Sequence, residues 1–431
     1  MTLVILSGCT HTPPTRDYTL LEASALAGDR LSQFQLGEAY LTGKSVAKDT
    51  LEAEKWFRRS ALQGFADAQF SLGWMYYTGV EIQQDYKQAV QLFGQASRQN
   101  LALAQYYLGV CYKWGYGVKV SHVKAAALYK KAAKQNNRMA QNDLGAYYEQ
   151  GLGVKKDIDE AFKLYYQSAR QGVAHAQANL GMLYARGWGV KKDGEAALMW
   201  NKRAIDQEHY AAAVNLGVMY EYGYAVGVDL EEAVEWYKKA ALKGDSRGQR
   251  NLAMMYLIGR GIEKDSVLAM KWLLDSAHQK FTKSYANLGA MYEDGQGIEV
   301  NFKEAVKWYE KSAHAGHMEG QKALGVMYLT GRGITKNIKT GQELLLKSAE
   351  QGFVQAQFSL SGSYFSQKKY QKAQKWLRKA ALAGHVKSQY WHGYIYLKQN
   401  NPKKAIKWLR EAAKNGNEKA EKTLLKLEGL K

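Results

Sequence analysis

Apolar positions along this chain repeat with two periods at once. Between 176 and 184, Ala176, Leu180, Leu183 and Tyr184 fall at the three- and four-residue spacing that gives a helix one apolar side. Over the longer range the set returns every thirty-six residues, as leucine from Leu36 and Leu72 through Leu180 to Leu360. A tyrosine stands four places after each of the ten leucines, from Tyr40 through Tyr184 to Tyr364. A single globular core has no need of one spacing repeated so often. A stack of like units does, because each unit presents the same apolar face to the next.

The polar punctuation divides each period into two helices. The first is predicted to stop at turns such as Gly151-Leu152-Gly153-Val154 and Gly331-Arg332-Gly333-Ile334, where glycine accepts a left-handed backbone and Val or Ile anchors the turn to the core. A short basic loop then leads to Asp49, Asp85, Asp157, Asp193, Asp229 or Asp265, placed to cap a second helix, with Asn301 and Asn337 as substitutes. The second helix carries sets such as Ala197, Trp200 and Ala204, and in many units a glycine such as Gly172 or Gly244 closes it. Gly181 and its equivalents follow the repeat leucine inside the first helix. Glycine there costs roughly 1 kcal/mol against alanine, so its recurrence predicts tight helix crossing. The Gly-x-Gly turns are not phosphate loops, since they end helices rather than follow strands and no Lys-Ser/Thr pair comes after them.

The string Ala-Gln-x-Asn-Leu-Gly-x-x-Tyr-x-x-Gly-x-Gly-Val-x-x-Asp, followed by Ala-x-x-Trp-x-x-x-Ala-Ala-x-x-Gly, resembles the Sel-1-like repeat, a relative of the tetratricopeptide repeat. Ala176 to Gly189 and Ala286 to Gly316 match it closely, and the likeness covers about residues 20 to 425. The resemblance implies an all-α fold, a right-handed α/α superhelical solenoid of helical hairpins whose first helices line the inner curve. It also implies an adaptor that binds protein partners. Family members include envelope scaffolds, assembly factors and bacterial proteins that meet host proteins, so a secreted or surface virulence adaptor is one alternative. Another is a hydrolytic or β-lactam-binding protein, as linked to Sel-1-like proteins with a cysteine pair in each repeat. This chain holds only Cys9 and Cys111.

The expected organisation is a truncated lipoprotein signal at 1–9, a tether at 10–19 and thirty-six-residue repeats over 20–354. Shortened tetratricopeptide-like repeats follow over 355–417, then a capping helix at 418–431. The loop after Tyr364 is cut, running through Ser366 to Lys369 straight to Ala373. Leu6-Ser7-Gly8-Cys9 resembles the bacterial lipobox, which makes Cys9 the lipidation candidate and the bacterial envelope the expected location. Only Leu3 to Leu6 are apolar before it, short of the 7–15 residues a signal needs, hence the reading of a clipped signal. If that signal reading fails, the cytoplasm is the expectation. Under the lipobox reading a lipid anchor is the only attachment to a membrane, because no apolar run approaches ~20 residues.

Charge changes the picture at one end. Residues 368–431 hold seventeen Lys and Arg against four glutamates, a net of +13 out of the chain's +20. Two readings stand: a solvated helical end, or a site for an acidic partner or anionic lipid. Nucleic acid ranks low, since the tryptophans keep core spacing. Cys111 reads as a core residue.

No cofactor, metal or catalytic set emerges. His314 and His317 are separated by Gly316 and read as a turn pair, and Glu221 and Glu293 read as surface positions of like units. Asn179, Asn215, Asn251 and Asn287 form a ladder just before the leucines, suited either to a partner's backbone or to the adjacent repeat. Specificity is expected from residues that differ between repeats near the end of a first helix: Lys113, Trp114, Arg186, Glu221, Tyr222 and Asp294.

Overall fold

The computed structural model describes residues 18–427 and 429. The tetrapeptide ending in Cys9 and most of the expected tether lie outside the described residues. Those described form twenty-four helices and no strand. The chain divides into two compact units, one ending at Asn215 and taking in Tyr224–Val226, the other formed by Leu216–Gly223 and the chain from Gly227 onward.

In the first unit α1 (Tyr18–Leu26) precedes five hairpins. These are α2 (Arg30–Thr42) with α3 (Thr50–Leu62), α4 (Ala66–Thr78) with α5 (Tyr86–Arg98), and α6 (Ala102–Trp114) with α7 (His122–Lys134). Then come α8 (Arg138–Gln150) with α9 (Ile158–Arg170), and α10 (Ala174–Arg186) with α11 (Gly194–Asp206). The boundary falls inside α12 (Ala211–Tyr222). The second unit holds α13 (Leu230–Leu242) and the hairpins α14 (Ser246–Ile258) with α15 (Ser266–His278), and α16 (Lys283–Asp294) with α17 (Phe302–His314). They are followed by α18 (Met318–Thr330) with α19 (Ile338–Glu350), α20 (Val354–Ser366) with α21 (Tyr370–Leu382), α22 (Val386–Lys398) with α23 (Pro402–Lys414), and finally α24 (Glu418–Leu427).

All the hairpins but α20 with α21, where Lys369 offers no side-chain cap, close by the same chemistry. The capping aspartate has extended backbone and accepts from the first free N–H groups of the second helix, as Asp49 does from Leu51 and Glu52 at 3.0 Å. Its own N–H donates to the carbonyl of the repeat tyrosine, Asp49 to Tyr40 and Asp193 to Tyr184, which fixes the loop to the helix it left. Asn301 and Asn337 cap as expected, and Ser121 does so where no acidic residue was available.

The repeat leucines are core: Leu36, Leu180, Leu216, Leu288 and Leu360 are buried. The glycine that follows most of the repeat leucines explains itself by distance. A Cβ on Gly37 would stand 2.7 Å from the Phe57 ring, and one on Gly145 2.9 Å from Tyr165, so the aromatic of the second helix lies directly on the first helix's backbone. The second glycine of the turn has a different task. On Gly189 a Cβ would come within 2.7 Å of the Ile158 carbonyl oxygen, at the opening turn of the preceding repeat's second helix. In the next repeat Ala225 takes this place with φ 59°, and there the glycine has moved across the contact to Gly194, under the Ala225 carbonyl.

A row of buried glutamines joins three helices at a time. In the first unit Gln69 donates to the Ala61 carbonyl at 3.3 Å, in the last turn of the previous repeat's second helix, and accepts from Gln99, after its own repeat's second helix, at 2.8 Å. Gln141 likewise donates to Ala133 and accepts from Gln171, and Gln177 donates to Ala169 and accepts from Gln207. Gln33 begins the row on the Ala25 carbonyl, so α1 occupies the place of a second helix. In the second unit Gln249 repeats the pattern with Ala241 and Gln279. Gln357 donates to Ala349, but Ala383 stands where the donor glutamine would be, and its buried Oε1 has no partner among the described residues.

The last repeat breaks the leucine series. His392 occupies the leucine position thirty-two residues after Leu360, and Leu424 in α24 resumes the series after the same interval. His392 is 1% exposed, lies between the Tyr396 and Trp408 rings, and neither ring nitrogen has a partner among the described residues. Burial pushes its imidazole down to about 4, and Arg378 acts in the same direction.

Three substitutions test these contacts. An unfolded histidine titrates near ~6.5, so the unfolded chain takes up the proton first as pH falls. The terminal repeats therefore hold their full stability above that pH and lose up to ~3 kcal/mol by about pH 4. His392→Leu should raise the melting temperature, by a margin that widens over that window in thermal scans. Ala383→Gln should stabilise the chain by about 1 kcal/mol, by giving Gln357 its donor. Conversely, Gln171→Ala should cost about 1–3 kcal/mol in urea titrations, because it strands the buried Gln141 oxygen.

Candidate interaction surface

The first helix of each repeat carries the predicted site residues, the asparagines in its middle and the variable residues in its last turn. In the first unit the asparagines bond within the array. Asn179 Nδ2 donates to Asn142 Oδ1 at 3.5 Å, and Asn215 Nδ2 donates to the Ala178 carbonyl at 3.1 Å and to Asn201 Oδ1 at 3.2 Å. In the second unit Arg250 bridges the ladder, its Nη1 donating to Asn251 Oδ1 at 3.3 Å and its Nε to Asn287 Oδ1 at 3.4 Å. All four asparagines are half-buried.

Glu221 also faces inward, and so does Glu293, which corrects their reading as surface positions. Tyr237 donates to Glu221 Oε2 at 2.7 Å and Arg260 donates to Oε1 at 2.9 Å, leaving the glutamate side chain 13% exposed. Glu293 repeats this with Tyr309 at 2.8 Å and Arg332 at 3.7 Å. Glu149 accepts from Tyr165 at 2.8 Å in the first unit. Burial, reinforced by the adjacent carboxylate, pushes these tyrosine hydroxyls far above their ordinary range. Nothing in a helix pattern marks these pairs, but the sixteen-residue spacing Glu149–Tyr165, Glu221–Tyr237 and Glu293–Tyr309 is visible once looked for.

The remaining candidates reach the surface. Lys113 pairs with Asp143 at 3.6 Å and stands 5.2 Å over the ring of Trp114, which is 60% exposed. Arg186 lies between two rings that sequence reasoning missed, 4.5 Å from Trp188 and 5.5 Å from Tyr224. The first unit thus brings Trp114 out beside Lys113 and gathers Arg186, Trp188 and Tyr224 together. In the second unit Tyr222 and Asp294 are exposed.

The family model described as the Sel1 repeat matches eleven consecutive segments from 30–65 to 386–417. This chain belongs to the Sel1-repeat family. It is similar to a protective antigen present in uropathogenic Escherichia coli strains, whose crystal structure displays an SLR fold: 34% identical, TM-score 0.53, covering 88% of this chain and 83% of that one. It is also similar to a Sel1 repeat protein from Oxalobacter formigenes, at 31% identity and TM-score 0.54, over 72% of this chain and 90% of that one. No curated protein sequence matches the chain. Sel1-repeat proteins generally serve as scaffolds for protein partners.

The Sel1 matches include both shortened terminal repeats, 355–385 and 386–417. Among the described residues no three His, Cys, Asp or Glu side chains gather in a way that would hold a metal. Burial pushes the Cys111 thiol up to about 12, and His317 bonds Thr282 Oγ1 in the equivalent turn one repeat earlier.

Glu221 offers a direct check on this division between inner and outer polar groups. Tyr237→Phe and Glu221→Gln should each lower stability by about 1–3 kcal/mol in denaturant titrations, because each leaves a buried polar group poorly matched. Asp294→Asn, on an exposed side chain, should change it by less than ~0.5 kcal/mol.

Proposed function

We propose that this chain is a scaffold that holds a protein partner across the last turns of its first helices and the loops after them. The observation that carries the reading is the contrast between inner and outer polar positions. Glutamines, asparagines and glutamates at recurrent positions are bonded inside the array, whereas Trp114, Tyr222 and Trp188 project from variable ones, with 60%, 55% and 41% exposure. Exposed tryptophan, tyrosine and arginine are the residue types that anchor protein interfaces. Trp114 beside Lys113, and Arg186 held between Trp188 and Tyr224, form rigid anchors that lose little side-chain freedom on docking. The role requires no chemistry of the scaffold itself.

We place the scaffold in the bacterial envelope, tethered through Cys9, on the strength of the lipobox-like Leu6-Ser7-Gly8-Cys9. Among the described residues no helix is long and apolar enough to cross a membrane.

A photo-crosslinking residue in place of Trp114 should capture a defined partner in cells, whereas one in place of Met199, on a second helix, should not. Arg186→Ala should reduce the recovered partner about tenfold with an unchanged melting temperature. Equal capture from both positions would overturn the surface assignment. Palmitate incorporation that survives Cys9→Ser would overturn the tether.

A further inference from the structure

The two terminal repeats uncover what the other loops hide. In the thirty-six-residue repeats of the second unit, the turn after each first helix lies on the opening turn of the previous second helix. Cβ atoms on Gly297 and Gly333 would strike the backbone of Ser266 and Phe302 there. The connection from α22 to α23 consists only of Gln399, Asn400 and Asn401. That connection lacks the longer turn, and the first residue of α21, Tyr370, is 55% exposed. Beside it stand Phe365 at the end of α20, 51% exposed, and Trp391 on α22, 43% exposed.

With Tyr394, Ile395 and Lys398 these residues line a groove of about 330 Å³. That is the small end of the range for ligand pockets, about 300–1,000 Å³. Its rings cross rather than lie parallel: Phe365 meets Tyr370 at 5.3 Å and 71°, and Trp391 meets Tyr394 at 5.7 Å and 83°. Crossed rings form the corner of a slot for one bulky side chain. A run of stacked bases needs open, successive faces instead.

The rim is basic. Lys398 stands 5.5 Å over the Tyr394 ring. Lys368 and Lys369 immediately precede Tyr370, and Lys403 is the second residue of α23. All four are exposed and have no acidic partner among the described residues. Residues 368–431 carry a net +13, so the field around the groove has one sign. Exposed aromatics inside a strongly cationic segment call for an occupant that is apolar at its centre and anionic at its edges.

We propose that the groove lined by Tyr370, Trp391 and Tyr394 docks a short acidic peptide segment of a partner protein. One large apolar side chain sits in the slot, and its flanking carboxylates face Lys398, Lys368 and Lys369. This deepens the scaffold reading by naming one class of partner segment, and it uses residues apart from those tested at Trp114.

The test uses the full chain and a fluorescein-labelled peptide with one phenylalanine between runs of glutamate, read by anisotropy. Control probes replace the phenylalanine with alanine or the glutamates with lysine. A labelled single-stranded oligonucleotide and vesicles of phosphatidylcholine with phosphatidylglycerol complete the set. The acidic phenylalanine peptide should bind, more weakly as salt rises. Trp391→Ala and Lys398→Glu should each weaken it about tenfold, with thermal melts unchanged. The proposal is overturned if that peptide fails to bind, if the alanine or lysine probe binds equally, if both variants bind like the parent, or if only the oligonucleotide or the vesicles bind. Any of these results with crosslinking from position 114 intact removes the groove and leaves the scaffold standing. Loss of both removes the scaffold as well.

Discussion

A helix ends with carbonyls that no residue of that helix can bond, and in this chain those ends are buried under the next repeat. Water cannot satisfy them there, and an orphaned carbonyl in the interior costs about 1–3 kcal/mol. The buried glutamine of most first helices answers that constraint. Its amide nitrogen reaches back to a last-turn carbonyl such as Ala61 or Ala169, and its oxygen then requires a donor of its own, supplied by Gln99 or Gln207. One side chain thereby fixes three helices in mutual register. Apolar burial alone would permit sliding, because leucine against alanine is tolerant of small shifts. A buried amide with both ends engaged is not.

The glutamine pair also behaves as a unit within the sequence. Where the first member is absent the second is too: Ala213 goes with Lys243, and Tyr285 with Ala315, each pair thirty residues apart like Gln177 and Gln207. This is what the desolvation cost of an unmatched amide demands, since removing both partners is far cheaper than removing one. The repeat containing Gln357 and Ala383 is the departure, and its buried oxygen is unpartnered among the described residues. The same economy of paired change governs the backbone contact between repeats, where glycine belongs either to the turn, as Gly189, or to the helix beneath it, as Gly194 under Ala225.

Most of the fold was legible because it rests on residues that act locally or at one fixed spacing. The capping aspartates, the helix-stopping glycines and the leucine–glycine packing point each follow from the chemistry of a single turn, and Asp49, Gly151 and Leu180 sit where the pattern put them. Features that depend on two distant residues were not legible. Gln69 stood in the repeat pattern without a role, and Glu221 and Glu293 looked like solvated positions because the tyrosines that use them lie sixteen residues on. Arg186 was singled out for its variability, but its ring partners Trp188 and Tyr224 come from the loop of its own repeat and from the following one. Lys113 and Trp114 were readable for the opposite reason: adjacent in sequence, they stay adjacent on the surface.

The same division bears on what the chain can do. Once stacking has claimed the recurrent polar groups, a partner can be recognised only by positions the stack leaves free, which are the last turns of first helices and the connections that follow them. Changing Trp114, 60% exposed at the end of its helix, alters a surface with little effect on helix packing, so such a position varies between repeats at little cost to the fold. Shortening a connection is the more drastic form of the same freedom. Four residues removed from a loop leave helix pairing intact, as α20 with α21 shows, while the opening turn of a second helix, covered elsewhere, becomes surface. In the last two repeats that surface is aromatic, set in the most basic part of the chain. A solenoid of this kind gains a recognition site by deleting a cover rather than by building a pocket.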